Sequence, residues 1–353
     1  MSLTKHSLKR FGRMVLWGLG GLLGLAMMVL LIGASWNALA DARDGRRFPP
    51  PGQLIEVDGV RLHLHCTGQG QPTVVLDSGW AMPALGWTLV QPELAQRGRV
   101  CSYDRAGMGH SESDPTPAPH PPMRIAEDLH KLLQRTGERG PFVLVGHSHG
   151  GLMARAFYER FPKEVAGMVL VDATSEYMEE RFFGPTWEKD MAASNESARR
   201  RGPLFRFVLW SGLGRWRLTK EAHNSGLPIK PEVIDEAIYL LNQPKWYRAA
   251  VAELDGVPES YRQLRAGRGL GDLPLIVLTA GKFQPKGAPP EKAEEWSRIW
   301  VQELQPQLAR LSTRGRQVIA DSGHLIPFEA PGEVVKAVGE VVAMIPPAPA
   351  REE

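Results

Sequence analysis

The fold predicted by the sequence is α/β, a mostly parallel central sheet with helices packed on both of its faces. Two observations lead there. Short runs that are apolar throughout, Thr73 to Asp77, Phe142 to Val145, Val165 to Thr174 and Leu273 to Gly281, fit strands buried on both faces, because a strand with one wet face would alternate instead. Between them lie segments whose apolar residues recur at helical spacing, such as MRIAEDLHKLLQRTG, which puts Ile125, Leu129, Leu132 and Leu133 on one face. Strand and helix in alternation is the pattern of parallel strands joined by crossover helices. With 353 residues, 43% of them hydrophobic, the chain can form one large domain with an insertion or two ordinary ones. Its 42 Lys and Arg are scattered among 39 Asp and Glu, leaving a net charge of +3 and no basic stripe, so nucleic acid is not an expected partner.

The chain begins with a membrane signal. Met14 to Ala34 is an uncharged apolar run, long enough to cross a hydrocarbon layer of about 30 Å as a helix. Lys5, Lys9, Arg10 and Arg13 precede it, whereas the charges that follow, Asp41, Arg43, Asp44, Arg46 and Arg47, nearly balance. The positive-inside bias therefore predicts residues 1–13 in the cytoplasm, 14–34 as a single transmembrane anchor and everything after it on the other side. Trp17 and Trp36 stand near the two ends of the run, where an indole straddles the interface. The alternative is a signal peptide cleaved at Ala38-Leu39-Ala40, a small-x-small pattern, and either reading exports the domain. Residues 35–52, ending in Pro49, Pro50 and Pro51 before Gly52, read as a stiff extended linker.

The domain proper divides into 53–174, a first part of the core, 175–270, an insertion, and 271–346, the second part, with 347–353 as a frayed tail. Leu54 to Gly68 is two alternating strands about the turn Asp58-Gly59, a hairpin. Pro115 to Pro122 is a surface loop by composition, and Gly137 ends the helix that follows. From Ser175 to Leu270 no long apolar strand occurs; tryptophans and phenylalanines (Phe182, Phe183, Trp187, Phe205, Phe207, Trp210, Trp216, Trp246) alternate with Arg and Lys. After the strand at Leu273 come PPEKAEEWSRIWVQELQPQLARLS, read as one helix, the strand RQVIADSG, and the closing helix PGEVVKAVGEVVAMI with Pro331 near its start.

The stretch FVLVGHSHGG, Phe142 to Gly151, carries the chemistry. It reads as strand, sharp turn and helix, with Ser148 at the turn between Gly146 and Gly150, where there is no room for Cβ atoms. A serine is a weak nucleophile unless such a turn holds its Oγ beside a base and a helix N-terminus whose N–H groups can meet an oxyanion. Three other stretches stand in a consistent order around it: TVVLDSGWAMPALGW (Thr73 to Trp87) and RVCSYDRAGMGHS (Arg99 to Ser111) before, and SGHLIPFEAP (Ser322 to Pro331) after. Together with the elbow they resemble the α/β-hydrolases of the serine esterase and lipase type, over about Gly52 to Ile345.

The resemblance implies a helical cap over 175–270, whose aromatics pack it onto the core and in part line an apolar cleft. It implies Ser148 as nucleophile, His324 as base, and an oxyanion hole from the backbone N–H groups of His149 and Trp80. His147 and His149, flanking the nucleophile, would shape the pocket. The acid's usual place, after the seventh strand, reads TAGKFQPKGAPP and lacks a carboxylate. Some lipases of this fold take the acid from the end of the sixth strand, where Asp172 stands here; Glu291, beyond the Pro-rich loop, is the rival. Second and fourth strands are neighbours in such folds, so Cys66 and Cys101 are expected as a disulfide or as two buried thiols. The implied function is hydrolysis of carboxylic esters with an apolar acyl or alcohol part, with thioesterase, lipase, peptidase and C–C hydrolase open beside it. A dehalogenase or epoxide hydrolase would carry Asp in place of Ser148. A catalytically silent binding protein on the same fold is the alternative from another class, and no cofactor or metal is expected.

Overall fold

The computed structural model describes residues 5–116, 119–284 and 289–346. The tail expected over 347–353, the first four residues of the expected cytoplasmic segment, residues 117–118 of the surface loop and 285–288 of the TAGKFQPKGAPP stretch lie outside them. Eight strands form one sheet: β1 (Gln53–Val57), β2 (Val60–Thr67), β3 (Val74–Asp77), β4 (Val100–Asp104), β5 (Phe142–His147), β6 (Val165–Val171), β7 (Leu275–Ala280) and β8 (Gly315–Ala320). Their order across the sheet is β1-β2-β4-β3-β5-β6-β7-β8. The hairpin strands pair antiparallel, β1 with β2 and β2 with β4, and every other pairing is parallel.

The fully apolar runs have the expected cause. Alternate residues face opposite sides, and both sides are covered. Leu144, Met168, Leu170, Leu275 and Val277 pack with Leu129, Leu133 and Phe157, which come from the helices before and after β5. Val143, Val145, Val169, Val171, Ile276 and Leu278 pack on the other face with Trp87, Val334, Val338 and Val341. Each such side chain taken fully out of water contributes about 1.5–3 kcal/mol, so neither face tolerates a polar replacement. On β2 and β4, Cys66 and Cys101 are register partners joined as a disulfide.

The helices, in chain order, are α1 (Lys5–Arg47), α2 (Gln91–Ala95), α3 (Pro122–Arg135) and α4 (Gly150–Arg160). Six more lie between β6 and β7: α5 (Met178–Phe183), α6 (Trp187–Trp210), α7 (Leu213–His223), α8 (Pro231–Leu241), α9 (Pro244–Asp255) and α10 (Val257–Arg265). The chain ends with α11 (Ala293–Ile299), α12 (Gln305–Ala309), α13 (Ile326–Glu329) and α14 (Pro331–Met344).

Two expectations are corrected. The segment 35–52 is not an extended linker: α1 continues to Arg47, and only 48–52 are extended or bent. Asn37, Ala40 and Asp44 recur at helical spacing and are buried. Their polar groups are met by Arg215 of α7, whose Nε donates to Asn37 Oδ1 at 3.1 Å and Nη1 to Asp44 Oδ2 at 2.6 Å. A partner distant in sequence stabilises helix where composition alone suggested a tether. The single helix expected after β7 is likewise broken into a short turn, α11, a π-helical turn at Trp300–Leu304, and α12. Pro306 lacks the N–H that would bond Gln302 O, and its ring crowds that carbonyl; a wider turn before it relieves the clash.

Candidate active site

The six parallel strands, β3 to β8, end on one edge of the sheet, and the chemistry-bearing side chains collect there. β5 stops at His147, and Ser148 follows at φ +52°, a left-handed conformation uncommon for a side-chain-bearing residue. The surroundings impose it: Ser148 N–H donates to Val171 O at 2.9 Å, and Thr174 N–H donates to Ser148 O at 3.0 Å. A Cβ at Gly146 would meet Gly150 O at 2.4 Å, and one at Gly150 would meet Asp77 O at 2.4 Å, so only glycine fits on either side.

Ser148 Oγ lies 3.0 Å from His324 Nε2, and His324 Nδ1 lies 2.6 Å from Asp172 Oδ2. With Nδ1–H donating to the carboxylate, Nε2 keeps its lone pair for the serine hydroxyl. Asp172 follows β6 at φ +42° and is completely buried. Its second oxygen accepts from Ala280 N–H at 2.9 Å and from the Trp300 indole at 2.7 Å. Three donors thus replace the water that the carboxylate loses, which is what lets a charge sit at this depth. Glu291 sits exposed in the turn Pro290–Lys292 and makes no hydrogen bond with His324 among the described residues.

The two flanking histidines are buried. Burial, with the neighbouring His324 adding to it, lowers the His147 pKa to about 3, and burial lowers that of His149 to about 4. Both rings are therefore neutral near neutral pH. His147 Nε2–H donates to the backbone carbonyl of His324 at 2.9 Å, tying the end of β5 to the histidine loop.

Opposite Ser148 lies the turn that leaves β3. A Cβ at Gly79 would stand 3.4 Å from Ser148 Cβ, so Trp80 begins just beyond the serine. The backbone N–H groups of Trp80 and His149 donate to no acceptor among the described residues. The turn is held from behind by Arg105, whose Nη1 donates to Ser78 O at 2.8 Å and to Asp77 Oδ1 at 2.6 Å, and whose Nη2 donates to Gly79 O at 2.7 Å. Nε of the same guanidinium donates to Glu253 Oε1 of α9 at 2.7 Å. Burial pushes the Asp77 carboxyl up to about 6, against the pull of Arg105 and of the Tyr103 hydroxyl. Two indoles complete the clamp: Trp80 Nε1–H donates to Ala250 O at 2.8 Å and Trp246 Nε1–H to Ala81 O at 2.7 Å, so α9 is pinned to this turn.

The sequence-derived residues Ser148, His324 and Asp172 thus converge, whereas Glu291 does not join them. Sequence reasoning missed Trp300, Arg105 and Glu253. Trp300 repeats the face of Trp296 one turn later, which marked it as buried without revealing its acceptor. Glu253 comes from the six-helix insertion, whose docking no local pattern encodes. The insertion's aromatics pack both onto the core, Phe182 on Trp296 with ring centroids 4.7 Å apart, and within the insertion, Phe205 on Tyr247 at 4.2 Å.

Among known proteins, the alpha/beta hydrolase family model matches residues 62–337. An AB hydrolase superfamily protein of Gibberella zeae is 25% identical over 298 residues, which cover 78% of this chain and 87% of that one. A 2-hydroxy-6-oxo-2,4-heptadienoate hydrolase of Pseudomonas putida is 33% identical over 128 residues, 35% of this chain and 44% of its own. The chain spans less than half the length of several curated relatives it matches, from 19% to 46%. Among solved structures, a thermophilic esterase from Thermogutta terrifontis superposes with a TM-score of 0.57 at 25% identity, covering 82% of this chain and 96% of that one. The family match takes in most of the sheet, the elbow and the strands that carry Asp172 and Arg105, and this chain belongs to the alpha/beta hydrolase family.

Proposed function

We propose that the protein is a membrane-anchored serine hydrolase that cleaves carboxylic esters through an acyl-enzyme. One observation carries the reading: the unbroken line from Ser148 Oγ through His324 to the buried Asp172, in steps of 3.0 and 2.6 Å. In the first half-reaction His324 Nε2 takes the hydroxyl proton as Ser148 Oγ bonds to the ester carbonyl carbon. The carbonyl oxygen becomes an oxyanion held by the backbone N–H groups of Trp80 and His149. Collapse breaks the bond to the alcohol oxygen, which leaves with the proton from His324. Water then repeats the sequence on the acyl carbon, giving up a proton to His324 and returning Ser148. Asp172 stabilises the imidazolium each time without taking its proton.

An apolar substrate fits the side chains around His324. The Phe283 and Trp300 rings stack 4.5 Å apart and stand nearly perpendicular to the imidazole, and Trp80 is exposed near the serine. In this reading α1 anchors the domain with its N-terminus in the cytoplasm, and α5 to α10 form the cap.

A fluorophosphonate probe should label the wild type and not Ser148→Ala; folded wild-type protein that stays unlabelled would leave only a binding role. A series of acyl esters of graded chain length, run beside thioester, amide and heptadienoate substrates, then fixes the substrate class. Turnover confined to the non-ester substrates would move the assignment to another hydrolase of the same machinery.

A further inference from the structure

The upper part of α1 is built into the insertion. A Cβ at Gly33 would meet Ser211 O at 2.3 Å, and one at Gly212 would meet Gly33 O at 2.7 Å and the Trp36 ring at 3.2 Å. The corner between α6 and α7 therefore sits directly on α1 at Gly33. From Met14 to Gly33 a helix climbs about 29 Å, close to the ~30 Å of a hydrocarbon layer. This corner is thus level with the end of the apolar run. Four polar contacts, three of them buried, hold it there, since Arg215 also pairs with Asp41 and Asn242 Nδ2 donates to Asn37 Oδ1 at 3.0 Å.

Around that corner Leu204, Phe207, Trp210, Leu213 and Trp216 are between 46% and 61% exposed. Five large apolar side chains grouped this way are costly against water and mark a contact surface. They adjoin Trp36, an exposed apolar residue at the top of α1. Arg217 and Lys220 of α7 are exposed nearby, Arg217 paired with Glu221 at 2.7 Å and the Lys220 ammonium 5.7 Å from the Trp216 ring centroid.

We propose that the α6–α7 corner is a second membrane contact, inserted into the interface of the leaflet from which α1 emerges. The proposal rests on reading 14–34 as a membrane span. Continuity with α1 selects lipid over a protein partner: a helix in the bilayer already places lipid beside Gly33, and the corner lies against that point. Indoles suit the headgroup boundary, and Lys220 beside Trp216 suits anionic headgroups above it.

The test uses full-length protein in nanodiscs of phosphatidylcholine and phosphatidylserine, with or without a phosphatidylcholine brominated at the headgroup end of its acyl chain. Bromine quenches tryptophan on contact. Trp17, Trp36, Trp210 and Trp216 would be the lipid-exposed indoles, so Trp210→Phe/Trp216→Phe should remove about half of the quenchable emission, two indoles of four. Trp17→Phe should lower it independently. Loss of quenching in Trp17→Phe but none in the double variant overturns the corner contact and leaves the span intact. No loss in either overturns both, and loss in the double variant alone keeps the corner as a surface contact while removing the span. A dimer sealed through the patch, seen as two copies per disc with the double variant monomeric and quenched to the same extent as the wild type, also overturns the proposal.

Discussion

The indole N–H of Trp300 donates to Oδ1 of Asp172 at 2.7 Å, on the opposite side of the carboxylate from the oxygen that faces His324. The donor sits in the π-helical turn ahead of Pro306, so a local irregularity supplies the polar partner that a buried carboxylate needs. Trp300→Phe keeps the ring stacked on Phe283 and removes the donor. A hydrogen bond to a charged group contributes about 1.5–3 kcal/mol, so kcat should fall about tenfold to a hundredfold with KM nearly unchanged. Steady-state kinetics on a chromogenic ester check it; a change confined to KM would place Trp300 in substrate binding instead.

Replacing Asp172 separates the two carboxylates considered for the acid. Asp172→Asn should retain the fold and lower kcat by roughly 10³ to 10⁴, because the amide favours the wrong histidine tautomer. Glu291→Gln, on an exposed turn, should stay near wild type. Equal losses in both, or the reverse ranking, would show that His324 is oriented differently during turnover.

Arg105 is the sole guanidinium against two buried carboxylates, those of Asp77 and Glu253, among the described residues. Arg105→Met strands both and should cost about 3–5 kcal/mol of stability. Adding Glu253→Gln should recover part of that loss, which urea unfolding of the single and double variants would measure. It should also leave kcat low, since neither replacement restores the bonds to Ser78 O and Gly79 O that shape the turn beside Ser148. Full recovery of kcat in the double variant would argue against that role for Arg105.

Buried neutral histidine makes the fold sensitive to acid. His147 has a folded pKa of about 3 against an ordinary 6.5, so between these values the unfolded chain binds more protons. Its contribution is complete above about pH 6.5 and is lost as pH falls toward 3, and His149 adds to it between about 4 and 6.5. Asp77 acts with the opposite sign: its contribution is complete below about 4 and is lost as pH rises through 6. Burial also raises the Asp128 carboxyl to about 6 and that of Glu179 to about 7, and both act with the sign of Asp77, so the histidine contribution is read as a difference between variants and not as the net slope. From pH 7 to pH 5, thermal melts should show the wild type losing stability relative to His147→Gln; parallel curves would assign the acid sensitivity elsewhere.

The sequence made the sheet legible because a strand buried on both faces has no choice of composition: VLV in β5, VLV in β6 and LIVL in β7 are apolar whichever way a residue points. Ser148 was legible because the glycines on either side of it answer to backbone atoms within a few residues or on the adjacent strand. Asp172 was read through its position at the end of β6. What stayed hidden depends on contacts across great sequence distance: Trp300 reaches Asp172 from 128 residues away, Glu253 reaches Arg105 from 148, and Arg215 reaches Asp44 from 171. The last of these turned an expected tether into helix, and no property of residues 35–47 alone would have revealed it.

That helix acts as a rigid mast. Its 43 residues extend about 64 Å without a joint, and four polar contacts lock its upper third to the domain. A span longer than its bilayer is thick accommodates by leaning. If residues 14–34 span a bilayer as proposed, no hinge separates that span from the domain, and any lean of the helix would swing the mouth above Ser148 through the same angle. Bilayer thickness would then be an input to turnover of lipid-borne esters, though not of soluble ones. Activity compared across nanodiscs of short and long acyl chains should separate the two substrate types, and a joint made by inserting glycines after Phe48 should leave that dependence intact, because the lock lies below it.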